Sequence, residues 1–319
     1  MSFEMDTRWS VQLTSPDSGH IASVTTPSGS PTNSAARILG DHGLMIKYLN
    51  EHLVAVAVTD DRDLSMTLHL LDAVTGRTVH ARRHERASGP IRVVVAGNWI
   101  VYSYFNAKVK RTEIASVALY DGTIDKKGLN GWSDPKCAPD CLSTTRSSLE
   151  ETSTPIALTK EFSFPVGVRS LATTQTLHGI SNVDVLFALR TGKIMSMSKR
   201  FLDPRRPVSD ALSEADKREK LVKYHPNLPY MPQKVISYNL TVANVRSIIS
   251  GPTRLESTSM VFSFGLDLFF ARVTPSNAFD RLPDSFNTLA VGSLLVGLAC
   301  GVAVLRHLIA KKGVDSAWK

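Results

Sequence analysis

Twenty consecutive uncharged residues, Phe286 to Leu305, lie near the C-terminal end of a 319-residue chain and read FNTLAVGSLLVGLACGVAVL. As a helix, such a run rises about 30 Å, one hydrocarbon thickness, so it predicts a membrane-spanning helix over 286–306. A core helix of a soluble domain is usually shorter and keeps a polar stripe, which this run lacks. Arg306, His307, Lys311, Lys312 and Lys319 follow it, whereas Asp280, Arg281 and Asp284 precede it. An excess of Lys and Arg marks the cytoplasmic flank. Arg306, Lys311 and Lys312 therefore predict a cytosolic tail over 307–319 and a lumenal or extracytoplasmic bulk over 1–285. Ser293, Gly297 and Gly301 recur every fourth residue, share one helix face, and predict a surface where a second helix can approach closely.

The rest of the chain has the means to fold. With 43% apolar and 21% charged residues it can build one large or two modest cores, and disorder is not the default. The formal charge of +8 would permit nucleic-acid binding, but Lys and Arg are scattered rather than striped. They read as a solvated surface plus the positive flank, and no nucleic-acid partner is expected. The N-terminal MSFEMDTRWSVQLTS has no apolar core of a secretory signal. A lumenal bulk without a signal leaves two readings: the anchor itself directs translocation, which is awkward after some 285 preceding residues, or the sequence is the C-terminal part of a longer chain. Cys137 and Cys141, spaced as CAPDC, are candidates for a short-loop disulfide in an oxidising lumen, and a free-thiol state stays equally open. No neighbouring His or Cys pair completes a zinc set, so no metal site is expected.

From residue 44 to 120 the sequence breaks into short apolar or β-branched runs: LMIKYLN, HLVAVAV, SMTLHLLD, RTVHARR, IRVVVAG, WIVYSYF and IASVALYDG. Cut by Gly, Asn and Asp, they predict antiparallel strands. Gly76, Gly122 and Gly192 each follow a strand in a similar setting, 46 and 70 residues apart. They read as hairpin turns, the first interval matching a propeller blade and the second a blade with an insertion. The polar stretch 126–155 is that insertion. Strands resume in VRSLATTQ and VDVLFALR, and Ser213 with Asp216 resembles a capping box opening a charged helix to about Lys223. Residues 234–274 read as strands again, with a hairpin around Gly265, while SPDSGH and TTPSGSPTNSA read as loops. The fold predicted is mainly β: a partial β-propeller of about three to four blades followed by one C-terminal transmembrane helix.

Chemistry-bearing motifs are scarce. There is no GxSxG elbow, HExxH, Walker loop or GxGxxG fingerprint. His80 and His84 have ligand-like spacing only on a helix, and in a strand they read as an exposed polar pair. Asn239-Leu240-Thr241 is the one N-x-S/T sequon and makes Asn239 a glycosylation candidate. LDAVTGRTVH is similar to the docking repeat of pyrroloquinoline-quinone dehydrogenase propellers, with His80 where a Trp normally stands. That resemblance implies the propeller superfamily without its active site, so neither catalytic residues nor a cofactor are expected.

A longer set of segments carries a more specific resemblance: GDHGLMIKYLN at 40–50, LDAVTGRTVH at 71–80, LDPRRP at 202–207, ISYNLTV at 236–242, LESTSMVFSFGLD at 255–267, ARVTPS at 271–276, and the terminal anchor ending AWK. Over about residues 37–319, the 126–155 insertion excepted, the chain resembles the C-terminal third of the family of subunit 1 of the endoplasmic reticulum membrane protein complex. The resemblance implies a non-enzymatic lumenal scaffold in the ER membrane. Its partners would be the other subunits, client membrane proteins (tail-anchored and multi-pass) and the ER lipid bilayer. A type I receptor-like propeller and a quinoprotein-like oxidoreductase are the alternative readings. Surface delivery would mark the first and cofactor absorbance the second.

Overall fold

The computed structural model describes residues 8–14, 18–28, 32, 34–125, 148, 155–209, 211–282 and 286–318. They fall into two compact units, 1–278 and 279–319. The described strands of the first unit form four antiparallel sheets. Sheet one runs β1 (Gly19–Thr25), β4 (Leu53–Asp60), β5 (Ser65–Asp72), β6 (Thr78–His84). Sheet two runs β7 (Ala87–Ala96), β8 (Trp99–Asn106), β9 (Arg111–Asp125), β10 (Ile156–Phe164), and the small pair β2 (Ala36–Ile38) and β3 (Leu44–Lys47) joins the far end of β9. Sheet three is β11 (Val168–Thr173), β12 (Asp184–Leu189), β13 (Ile194–Ser198), and sheet four is β14 (Ser247–Pro252), β15 (Ser259–Phe264), β16 (Leu268–Val273).

The first strand of each sheet stands beside that of the next. Thr25 Oγ1 donates to the Val93 carbonyl (3.2 Å), Arg92 Nε to that of Arg169 (2.7 Å), and Ser250 Oγ to that of Thr173 (2.5 Å). These contacts place β1, β7, β11 and β14 around one axis, where Thr25, Val95, Thr173 and Ser250 line a cavity of about 190 Å³. The sheets fan out from this row as propeller blades do.

Burial explains why the strands read as they do. The residues Ile100, Tyr102 and Tyr104 of β8 face sheet one, packing with Leu53, Met66, Leu68 and Leu70. Their neighbours Trp99 and Val101 face sheet three, with Phe187 and Leu189. In β12, Leu186 and Ala188 turn instead to sheet four and meet Ile248, Val261 and Phe269. Strands sandwiched between two sheets are apolar on both faces, so WIVYSYF and DVLFAL run nearly without polar breaks. The last sheet is covered on one face alone: Val261 is fully buried, whereas Leu268 and Phe270 are exposed. SMVFSF accordingly alternates.

The mainly β, propeller-like fold and the seven early strands agree with the sequence. Gly76 and Gly192 do occupy hairpin turns, with φ of 73° and 79°, and Gly265 opens the turn between β15 and β16. Gly122 does not. The strand β9 runs through it to Asp125, and Ile46 and Leu44 face Asp121 and Asp125, so two positions of β3 span a bulge on β9. The spacing of 46 and 70 therefore does not mark blades. Of residues 234–246, Lys234 ends a short 3-10 helix, Val235 makes a single bridge to Met195, and the rest are turns and loop rather than strand; β1 begins at Gly19, so the last two residues of SPDSGH are strand rather than loop. The short helix α1 (Lys199–Leu202) follows β13 directly, and α2 (Glu214–Arg218) carries the Ser213–Asp216 capping box but ends before Lys223.

In the second unit one helix, α3 (Thr288–Ala317), is capped by the Asn287 side chain on the Ala290 N–H (3.0 Å). Its stretch Thr288–Val314 is long and apolar enough to cross a membrane, and no part of that apolar stretch is buried within the protein.

Candidate functional site: blade clamps and an apolar anchor

The segments that carry the family resemblance are fasteners between sheets and crossover loops. In LDPRRP, Arg206 is buried and donates to three carbonyls: Phe201 (2.6 Å) and Val222 (3.1 Å), and that of Lys223. Beside it Arg205 pairs with Glu219 (2.7 Å) and Asp203 (3.3 Å), and Arg37 reaches the same two carboxylates at 3.5 and 3.6 Å. Paired charges of this kind hold the 199–223 crossover against β2. Gly40 of GDHG shows how closely: a Cβ there would lie 2.0 Å from the Ala215 carbonyl oxygen of α2. Lys199 sits in the same cluster with its ammonium 4.7 Å from the Trp99 ring centroid. Burial lowers its pKa to about 7; Asp203 opposes this, and Lys47, Arg37 and Arg205 add to it.

LEST and GLD act alike. Glu256 accepts the backbone N–H groups of His178 (2.7 Å), Ile180 (2.7 Å) and Ser181 (3.3 Å), while Ser181 Oγ donates to the Glu256 carbonyl (2.8 Å). Asp267 accepts from the Ala243 N–H (2.9 Å), and a Cβ on Gly265 would lie 2.4 Å from the Asn244 carbonyl. In LDAVTG the Asp72 carboxylate accepts from Val74 and Thr75, and the Trp9 indole donates to the Ala73 carbonyl (3.1 Å) and covers Gly76. The tryptophan on this turn thus comes from position 9, not from the position of His80.

His84 corrects the expected exposed pair. It is buried, with Nε2 2.6 Å from the Tyr102 hydroxyl, Nδ1 3.0 Å from that of Tyr104, and Glu161 at 3.6 Å. Burial lowers its pKa, Glu161 and Glu113 oppose this, and Arg82 adds to it. The physical reason is that the last residue of β6 turns toward sheet two, where Tyr102 and Tyr104 of β8 and Glu161 of β10 cover it. His80 is half-buried.

The other candidates are placed as follows. Cys137, Cys141 and nearly all of 126–155 lie outside the described residues, as does Lys319. Asn239 is exposed in a turn whose neighbouring Tyr238 and Leu240 carbonyls accept from Lys193 Nζ at 2.8 and 3.2 Å. Ser293, Gly297 and Gly301 share one face of α3, and a Cβ on either glycine would meet nothing within 4 Å. Arg306, Lys311 and Lys312 are exposed on the same helix, which continues beyond 306 without a break. Among the described residues, no three His, Cys, Asp or Glu side chains converge as metal ligands would.

Blades fastened at their crossovers, followed by one helix long and apolar enough to cross a membrane, define a propeller-like protein with a candidate membrane span. The family model described as "ER membrane protein complex subunit 1, second beta-propeller" matches residues 2–276, and the chain belongs to that family. Proteins named ER membrane protein complex subunit 1 are similar to it. Those of Xenopus laevis and Gallus gallus are each 34% identical over 292 residues, covering 90% of this chain and 28% of their own. That of Schizosaccharomyces pombe is 30% identical over 317 residues, covering 98% of this chain and 34% of its own. The chain thus spans about a third of the length of these relatives.

Proposed function

We infer that the chain is a non-catalytic scaffold subunit of an ER membrane protein complex, supporting insertion of tail-anchored and multi-pass proteins into the ER membrane. The observation that carries this reading is the family match over a propeller whose motif residues are spent on fastening blades and loops rather than on a convergent reactive set. Residues 1–285 form the lumenal bulk, 286–306 the transmembrane segment and 307–319 a short cytosolic tail, with Arg306, Lys311 and Lys312 as the positive flank. Asn239, exposed in its turn, carries the glycan, and Cys137 and Cys141 pair in the oxidising lumen. Ser293, Gly297 and Gly301 meet a partner helix.

Depleting the protein in its own cells tests the function. Tail-anchored and multi-pass membrane proteins should fall in abundance while soluble lumenal proteins stay constant. Unchanged client levels would contradict the insertion role.

A further inference from the structure

Three inner strands carry the same short pattern, within β7, at the start of β11 and leading into β14: Ile91-Arg92-Val93, Val168-Arg169-Ser170 and Val245-Arg246-Ser247, each 77 residues after the last. The apolar member is buried each time, at 2%, 3% and 4% exposure, and it belongs to a different inter-sheet core. An arginine therefore follows a buried apolar residue at an equivalent place in sheets two, three and four. Between sheets two and three the chain opens into a cleft of about 470 Å³ lined by Arg92, Arg169 and Arg190, with Pro90, Phe105 and Val245 as apolar walls.

Two of the guanidiniums are held in place. Arg92 donates to the Arg169 and Ile91 carbonyls (2.7 and 3.0 Å), and Arg169 Nη1 to Asn244 Oδ1 (2.7 Å). The stem of Arg190 lies against Gly167, 3.4 Å from where a Cβ would stand. No carboxylate lines the cleft among the described residues, so three positive charges share one concavity without a counter-charge.

We propose that this cleft binds an acidic peptide segment of a partner protein, its carboxylates on Arg92, Arg169 and Arg190 and an apolar or aromatic side chain against Pro90, Phe105 and Val245. Guanidinium forks match carboxylates in pairs, and their preset orientation reduces what must be ordered on binding. The apolar walls favour a peptide over a bare anion. A nucleic acid would need an extended track of charge, and this is one concave site. The site goes beyond the scaffold reading and does not depend on it.

The test uses the full chain in mild detergent and a fluorescein-labelled dodecapeptide carrying two Glu-Phe-Glu triplets spaced by Gly-Ser, followed by anisotropy. Binding should weaken with salt, and should weaken about tenfold in Arg190→Glu, a change of about 1.4 kcal/mol. Arg190→Lys should retain most of it, and Arg83→Glu, on the exposed face of β6, should change nothing. The Arg190 guanidinium makes no hydrogen bond within the described protein, so the Arg190 variants should melt like the parent, which a thermal scan checks. Equal affinity for the Gln-for-Glu peptide, or no effect of Arg190→Glu, would overturn the proposal. So would displacement by millimolar phosphate at constant ionic strength together with equal binding of a peptide with Ala for Phe, because the cleft would then be a small-anion site. Each failure leaves the insertion role standing, since client abundance is measured separately.

Discussion

At the scale of single residues, Glu256 decides how one loop of sheet three is held. Burial works against ionising it, but hydrogen bonds from the His178 N–H, the Thr176 hydroxyl and the Ile180 and Ser181 N–H groups outweigh burial and keep its carboxyl below the usual range. A depressed carboxyl adds stability above the unfolded pKa of about 4.3, and that stability is lost as pH falls through the lower folded value. Glu256→Gln should therefore lower stability by about 1–3 kcal/mol near neutral pH. In thermal melts the gap from the parent should narrow as the solution is acidified below pH of about 4. Identical melts across that range would show that the loop does not need the charge. The sequence displays Glu256 only as a letter in LEST. Its donors lie 75 to 80 residues away, which no local pattern encodes. The burial of His84 is illegible for the same reason: alternation along β6 tells which side a residue takes, and only the neighbouring sheet tells whether that side is covered.

At the scale of elements, legibility follows burial. β8 and β12 are plain in the sequence because both faces are packed, and α2 because its capping box is local. The hairpin turns at Gly76 and Gly192 need positive φ and show as glycines, whereas the same residue type at 122 serves a bulge within β9. The 77-residue recurrence of Arg92, Arg169 and Arg246 marks the blades better than the glycines do. It escapes a search for turn signals because it lies in or beside the inner strands rather than at their turns. For α3, the 27 apolar-span residues rise about 40 Å, enough to cross the hydrocarbon core and carry Arg306, Lys311 and Lys312 toward the headgroups. Replacing Gly297 and Gly301 by Leu keeps that length and hydrophobicity, so carbonate-resistant membrane integration should be unchanged. Close helix packing is blocked, and recovery of the membrane subunits with the protein in mild detergent should drop severalfold. Full recovery would mean that this face meets lipid.

At the scale of the whole molecule, sheets one to four succeed one another around an axis, and each interface between neighbours has its own core. Propellers of this kind offer broad rigid faces, and the clamps at Arg206, Glu256 and Asp267 hold the crossovers from which those faces are built. Such a surface suits assembly, and an apolar helix suits attachment to a membrane core. We therefore propose association with a complex, rather than turnover, as the central property of the chain. Its most direct test is purification of the tagged full-length chain from its own cells in mild detergent, with the bound proteins quantified by mass spectrometry. Recovery of the other subunits of the ER membrane protein complex in near-equal amounts is the result expected, and migration of the chain alone, free of those subunits, would contradict it.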